Sequence, residues 1–145
     1  MGTNPILQFN EEYHFLSNFS ASHFIFMGEE FATNEHFYQA AKAVYPEDRN
    51  LIINAETPGL AKKLGRVIQK HPRWNLIKLS VMELGLRLKF ENPNLRELLI
   101  QTHRRELIEG NHWGDTFWGV YKNEGQNHLG KLLMKIRKEY DGFAF

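Results

Sequence analysis

One stretch of this sequence lines up a carboxylate, an amide and an amine at helical spacing. Wound at 3.6 residues per turn from Asn34, residues Glu35, Gln39 and Lys42 share a narrow arc with Tyr38 at its edge, while Phe37, Ala40, Ala41 and Val44 fall opposite. The apolar side must face a core. The polar side has two readings: a solvated face with a weak ion pair, or a row of reactive groups lining a cleft. The helix alone does not choose between them.

A second constellation is His112-Trp113-Gly114-Asp115-Thr116-Phe117-Trp118-Gly119. Loops mostly run over the surface, and large aromatics there form binding walls, with Asp115 between them in a partly dry pocket. Alternatively, Trp113 and Trp118 plug the core and Asp115 caps a turn. In Leu16-Ser17-Asn18-Phe19 the polar pair can meet a sugar or base edge, or simply make a turn. Gly125-Gln126-Asn127-His128-Leu129-Gly130-Lys131 opens the last helix, where free N–H groups and the dipole favour an anion. It is not a Walker A loop, because Leu132 stands where Ser or Thr is needed. On the long helical stretch, Ile77, Val81, Leu84 and Leu88 form an expected apolar stripe, and Arg87 or Lys89 can meet a phosphate or stay solvated. The 7 His form no recognisable ligand spacing, so no metal is expected.

Composition bounds these options. The 18 basic and 17 acidic residues leave a formal charge of +1, which excludes a strongly basic nucleic-acid coat but allows local basic patches. Absence of Cys excludes a disulfide scaffold, a Cys-ligated zinc site and a Cys nucleophile. The 145 residues fit one domain, and an apolar fraction of 42% can build a real core. The start, Met1-Gly2-Thr3-Asn4-Pro5, shows no secretory pattern, and no stretch approaches the ~20 apolar residues of a membrane span, so a soluble cytoplasmic protein with no membrane partner is expected.

The elements that position these groups follow from punctuation and period. Ile6–Phe9 reads as a short strand, and His23–Met27 with Glu30–Ala32 as a hairpin around Gly28. Asn34 caps a helix to about Val44, and Pro46 and Pro58 open two short helices. A long helix covers about Trp74 to Phe90, a short one Leu95 to Thr102, and a last one Asn127 to Tyr140 with Leu129, Leu132, Leu133 and Ile136 inward. Residues 108–124 are irregular. The expected class is α+β, mostly helical, with a small sheet.

Taken in order, several strings resemble the NADAR superfamily of YbiA-like N-glycosidases. They are Phe15-Leu16-Ser17-Asn18-Phe19, Asn34-Glu35-His36-Phe37-Tyr38-Gln39-Ala40-Ala41-Lys42-Ala43, Ala61-Lys62-Lys63-Leu64-Gly65-Arg66, Trp74 with Met82 and Lys89-Phe90, and Leu99-Ile100-Gln101-Thr102. Glu109, Asp115-Thr116-Phe117-Trp118-Gly119 and Gly125 to Met134 complete the set. The resemblance spans almost the whole chain. It implies one compact domain, residues 1–145, and cleavage of an N-glycosidic bond. The implied substrate is either ADP-ribosylated guanine, free or in nucleic acid, or a phosphorylated ribosylamino-pyrimidine of early riboflavin synthesis. A non-catalytic ADP-ribose or NAD-binding module is the alternative. No cofactor is implied, and nucleic acid enters only as a modified substrate. Under the resemblance, Glu35 and Asp115 are the two carboxylates, and Lys42 either stabilises an anion or forms a Schiff base. Lys42 would lie two turns along the helix, about 10 Å from Glu35 at ~1.5 Å per residue. Trp74 and Trp118 would stack on the base or shape the pocket, Asn18 would orient ribose hydroxyls, and Gln39, Lys89 and Asn127 would complete substrate binding, with phosphate near Asn127.

Overall fold

The computed structural model describes residues 3–142; Met1 and Gly2, at the head of the expected leaderless start, and residues 143–145 lie outside the described residues. Helix predominates, and among the described residues the only sheet is one two-stranded antiparallel hairpin, so the fold is α+β and mainly helical. Among the described residues no helix is long and apolar enough to cross a membrane. The chain divides into a middle unit, Asn18–Lys89, and a terminal unit formed by residues up to Ser17 and from Phe90 onward.

In the middle unit, β1 (Phe24–Phe26) pairs with β2 (Glu29–Phe31), with Phe26 opposite Glu29. The two loop residues Met27 and Gly28 both have positive φ, 51° and 81°, the left-handed geometry that matches strand twist in a tight hairpin. Helices α2 (Pro46–Ile53) and α3 (Pro58–Val67) each begin with Pro in the first turn, where a missing N–H costs nothing. Helix α1 (Asn34–Ala40) is capped by Thr33, which accepts from the His36 amide, and not by Asn34. It also ends four residues before the expected Val44. The amides of Lys42 and Ala43 reach back to the carbonyls of Gln39 and Ala40, a tightened turn that carries Lys42 off the helix. Val44, expected inward, is 44% exposed.

A core of Phe24, Phe31, Phe37, Ala40, Ile52 and Ala61 ties the hairpin to these helices. Phe31 and Phe37 meet edge to face at 5.1 Å. Truncating such a buried ring costs about 3–5 kcal/mol. Helix α4 (Trp74–Lys89) adds Val81 and Leu88 to that core, but Leu84 of the expected stripe is outward. Its most enclosed residues are Trp74, Met82, Gly85, Leu86 and Lys89, a face turned roughly 100° from the expected stripe at 3.6 residues per turn. The enclosed face contains a glycine and a lysine, so apolar spacing could not reveal it.

In the terminal unit, a 3-10 helix over Glu11–Leu16 was not expected. The strand expected over Ile6–Phe9 reduces to one parallel bridge from Ile6 to Leu107, because its partner segment is itself irregular. Helix α5 (Pro93–Ile100), capped by Asn92, packs against α6 (His128–Gly142). Leu129, Leu133 and Ile136 of α6 are buried as expected, and Leu132 is only half-buried.

Candidate active site

Every residue of α1 is buried, including its polar side. The solvated-face reading is therefore wrong for Glu35 and Gln39, which are 6% and 4% exposed. Gln39 Nε2 donates to Glu35 Oε2 at 2.6 Å, one turn away along the helix. Gln39 Oε1 is buried and accepts no hydrogen bond. This amide lies against Gly65 of α3, where a Cβ would collide with it. A glycine inside a helix costs about 1 kcal/mol relative to Ala, so its presence was a readable signal of close approach that the sequence analysis missed.

The same interior holds the start of α1. Asn34 Nδ2 donates to Asn18 Oδ1 at 2.9 Å, and both amides contact Met82 Sδ at 3.4 Å. The Glu35 amide donates to the Asn18 carbonyl. Asn18 is 8% exposed and anchors the backbone that carries Glu35, a use not foreseen for a ribose contact. His36 bonds Thr33 Oγ1 through Nδ1 and the Ala55 carbonyl through Nε2. A carbonyl only accepts, so Nε2 is the donor in that bond.

Lys42 projects its Nζ over two rings, 5.3 Å from the centroid of Tyr38 and 5.8 Å from that of Trp74. Those rings meet at 5.0 Å, and Trp74 is buried, so it forms a wall beneath the amine and offers no open stacking face. Burial is the main cause that brings the Lys42 amine down to a pKa of about 8. Lys70, Arg66 and Lys62 push it the same way, against the opposing pull of Glu35. Lys89, expected as a cation open to phosphate, is fully enclosed and donates to Ser20 Oγ at 2.9 Å.

In the terminal unit, Asp115 is the turn cap of the plainer reading. Its Oδ1 accepts from the amides of Phe117 and Trp118 at 3.0 and 2.9 Å. Asn111 holds the same turn by exchanging hydrogen bonds with the Asp115 backbone. Trp118 is half-buried against Phe117, whereas Trp113 is 53% exposed; neither is a core plug. The amides expected to face an anion at the start of α6 are taken. Those of Gln126, Asn127, His128 and Leu129 donate to the carbonyls of Thr116, Gly119, Phe117 and Trp118. The Asn127 side chain donates to the Leu107 carbonyl and accepts from the Glu109 amide. Asn127 is thus a strut, which removes the physical basis for a phosphate on it. A cavity of about 560 Å³ does open beside this segment, with Arg104 and Lys131 among its lining residues. Among the described residues, no group of three or more His, Asp or Glu is placed to hold a metal ion.

The family model of the NADAR domain matches residues 7–140. The chain belongs to the NADAR family. Among its relatives, N-glycosidase Npun_R5314 of Nostoc punctiforme is 39% identical over 136 residues, covering 89% of this chain and 86% of that protein. N-glycosidase YbiA of Escherichia coli is 35% identical over 134 residues, covering 90% of this chain and 83% of its own length. The NMR structure of YbiA aligns with this NADAR fold at a TM-score of 0.87 and 31% identity, over 100% of this chain and 90% of that one. Riboflavin biosynthesis protein VVA0006 of Vibrio vulnificus is 34% identical over 139 residues, which are 93% of this chain but 38% of that longer protein.

Proposed function

We propose that this chain is an N-glycosidase that hydrolyses the ribosyl C1′–N bond of a phosphorylated ribosyl substrate, either ADP-ribosylated guanine or a ribosylamino-pyrimidine phosphate of riboflavin synthesis. The observation that carries the reading is the pairing on α1 and its closing turn. A buried carboxylate, Glu35, is held by Gln39, and Lys42 is an amine with its pKa near 8. The names of the NADAR relatives support the reaction class, and the riboflavin biosynthesis protein among them bears on the second substrate.

The chemistry follows from where charge develops. As the base departs with the bonding electron pair, C1′ becomes positive and the base needs a proton. Glu35 supplies negative charge to the sugar side. Lys42, when uncharged, attacks C1′ of the ring-opened sugar; a proton passes from its amine to the base, the C1′–N bond breaks as the Lys42–C1′ imine forms, and water then hydrolyses the imine to the free sugar aldehyde and the amine. Trp74 shapes the wall under Lys42. We take residues 1–145 as one working domain, with a nucleic acid only as carrier of the modified guanine and the cytoplasm as its place of action. The groups named require no metal or cofactor, and base release should persist in EDTA.

Chromatography of the released base from both substrates tests the proposal. Glu35→Gln should lose at least about a thousandfold in rate while melting within a few degrees of the parent. Normal turnover by this variant would remove Glu35 from the mechanism. Saturable binding without release by the parent would favour a non-catalytic ADP-ribose module. Borohydride should trap substrate on the parent and not on Lys42→Arg, which keeps charge but loses the amine nucleophile.

A further inference from the structure

We infer that Lys62, Arg66 and Lys70 of the middle unit form a subsite for the phosphate or pyrophosphate of the substrate, beside Lys42. The inference deepens the N-glycosidase reading and rests on it for the identity of the substrate, though not for the anion site itself.

The placement follows from α3 and the segment after it. Gly65 seats α3 against the Gln39 amide, on the Glu35 side of α1. Lys62 and Arg66 flank Gly65 at positions three before and one after it, and four apart they share a helix face. The Lys62 ammonium lies 5.9 Å from the ring of Phe19, the residue that follows Asn18, whose carbonyl holds the Glu35 amide. Lys70 is brought to the other flank of Lys42 by its antiparallel bridge to Ala43 and by the bond from the His71 amide to the Lys42 carbonyl. All three cations are close enough to depress the charge on Lys42, whereas Lys63, on the same helix, is not among the groups that do so.

Like charges gathered in this way repel one another. Among the described residues, Arg66 and Lys70 enter no ion pair that would offset the repulsion. Glu35 is the carboxylate that opposes them at Lys42, and one of its oxygens is taken by Gln39. A dianion bound at this rim would relieve the repulsion, which is how clustered cations select phosphate. The groups first expected to meet phosphate do not compete for the role: Lys89 is enclosed, and Asn127 is spent on backbone.

Anion binding is testable without turnover. Titration calorimetry with inorganic pyrophosphate on the full chain should show saturable binding that Arg66→Gln/Lys70→Gln weakens tenfold or more. Lys63→Gln, the charge control, should stay within twofold, and so should Lys131→Gln beside the α6 cavity. Equal melting temperatures would confirm that the variants fold. No binding by the parent, equal weakening by Lys63→Gln, or a loss that follows Lys131 would each overturn the subsite. In base release on the high-pH plateau, where Lys42 is uncharged in both proteins, the double variant should raise KM for a phosphorylated substrate about tenfold with kcat little changed, and should leave KM for its dephosphorylated counterpart alone. If the parent binds pyrophosphate through Arg66 and Lys70 but releases no base, the subsite stands and the glycosidase reading falls.

Discussion

Polar side chains near the start of α6 in the terminal unit and along α1 in the middle unit are used in opposite ways. In the terminal unit, Asn111, Asp115 and Asn127 turn their oxygens and nitrogens to the backbone, holding together a segment with little regular structure. In the middle unit, Glu35 and Gln39 bond to each other, and Gln39 Oε1 and Asn34 Oδ1 stay buried with no hydrogen-bond partner. An unsatisfied buried polar group costs about 1–3 kcal/mol. These three side chains of the terminal unit spend their polarity on architecture. Along α1, unmet polarity at Asn34 and Gln39 lies on either side of the Glu35 carboxylate in the chain, which is where strain and function are expected to coincide.

Variants can break or sharpen this contrast. The largest effect should come from Lys42→Ala, with base release down by at least about a thousandfold and the melting temperature little changed; an active variant would return the middle unit to a structural role. Gly65→Ala comes next. Its methyl group displaces the Gln39 amide and, with it, Glu35, for a rate loss of about a hundredfold. Adding Gln39→Ala should restore the melting temperature but not the rate, because the crowding is relieved and the donor is gone. In the terminal unit, Asn127→Ala should instead cost about 2–3 kcal/mol of stability in urea titration, through two buried backbone bonds. A pH profile should show a smaller change. With a pKa of about 8, about a tenth of Lys42 is uncharged at pH 7, so release should rise roughly tenfold on the way to a plateau above that pKa. An ordinary lysine would still be rising there. Least affected should be the stability of Asp115→Asn, which keeps the turn-capping oxygen and should melt as the parent does, whereas Asp115→Ala loses about 1 kcal/mol. A rate defect confined to the Asn variant's lost charge would give Asp115 a place in the chemistry beyond its turn.

Much of the scaffold was legible because its signals are local. Pro46 and Pro58 mark helix starts, and Gly28 marks the hairpin turn, since their backbone preferences act within one or two residues. The periodic arc of Glu35, Gln39 and Lys42 was legible too, but its surroundings were not. Whether a polar face meets water or protein depends on Gly65 and Asn18, far away in sequence. The end of α1 was misjudged because Ala41 to Val44 keep a helical pattern while the tertiary bridge from Ala43 to Lys70 takes the chain elsewhere. Lys89 was read by residue type and Asn127 by its place at a helix start, and neither reveals which partners the fold supplies.

The enclosure of α1 has a consequence for how the middle unit opens. The first amides of a helix ordinarily exchange their protons with water quickly. Here the amides of Glu35, His36 and Phe37 are each engaged, by the Asn18 carbonyl, the Thr33 hydroxyl and the Thr33 carbonyl. Deuterium should therefore enter them only when the whole unit opens, so that loss of catalytic order and loss of the fold on warming become one cooperative event.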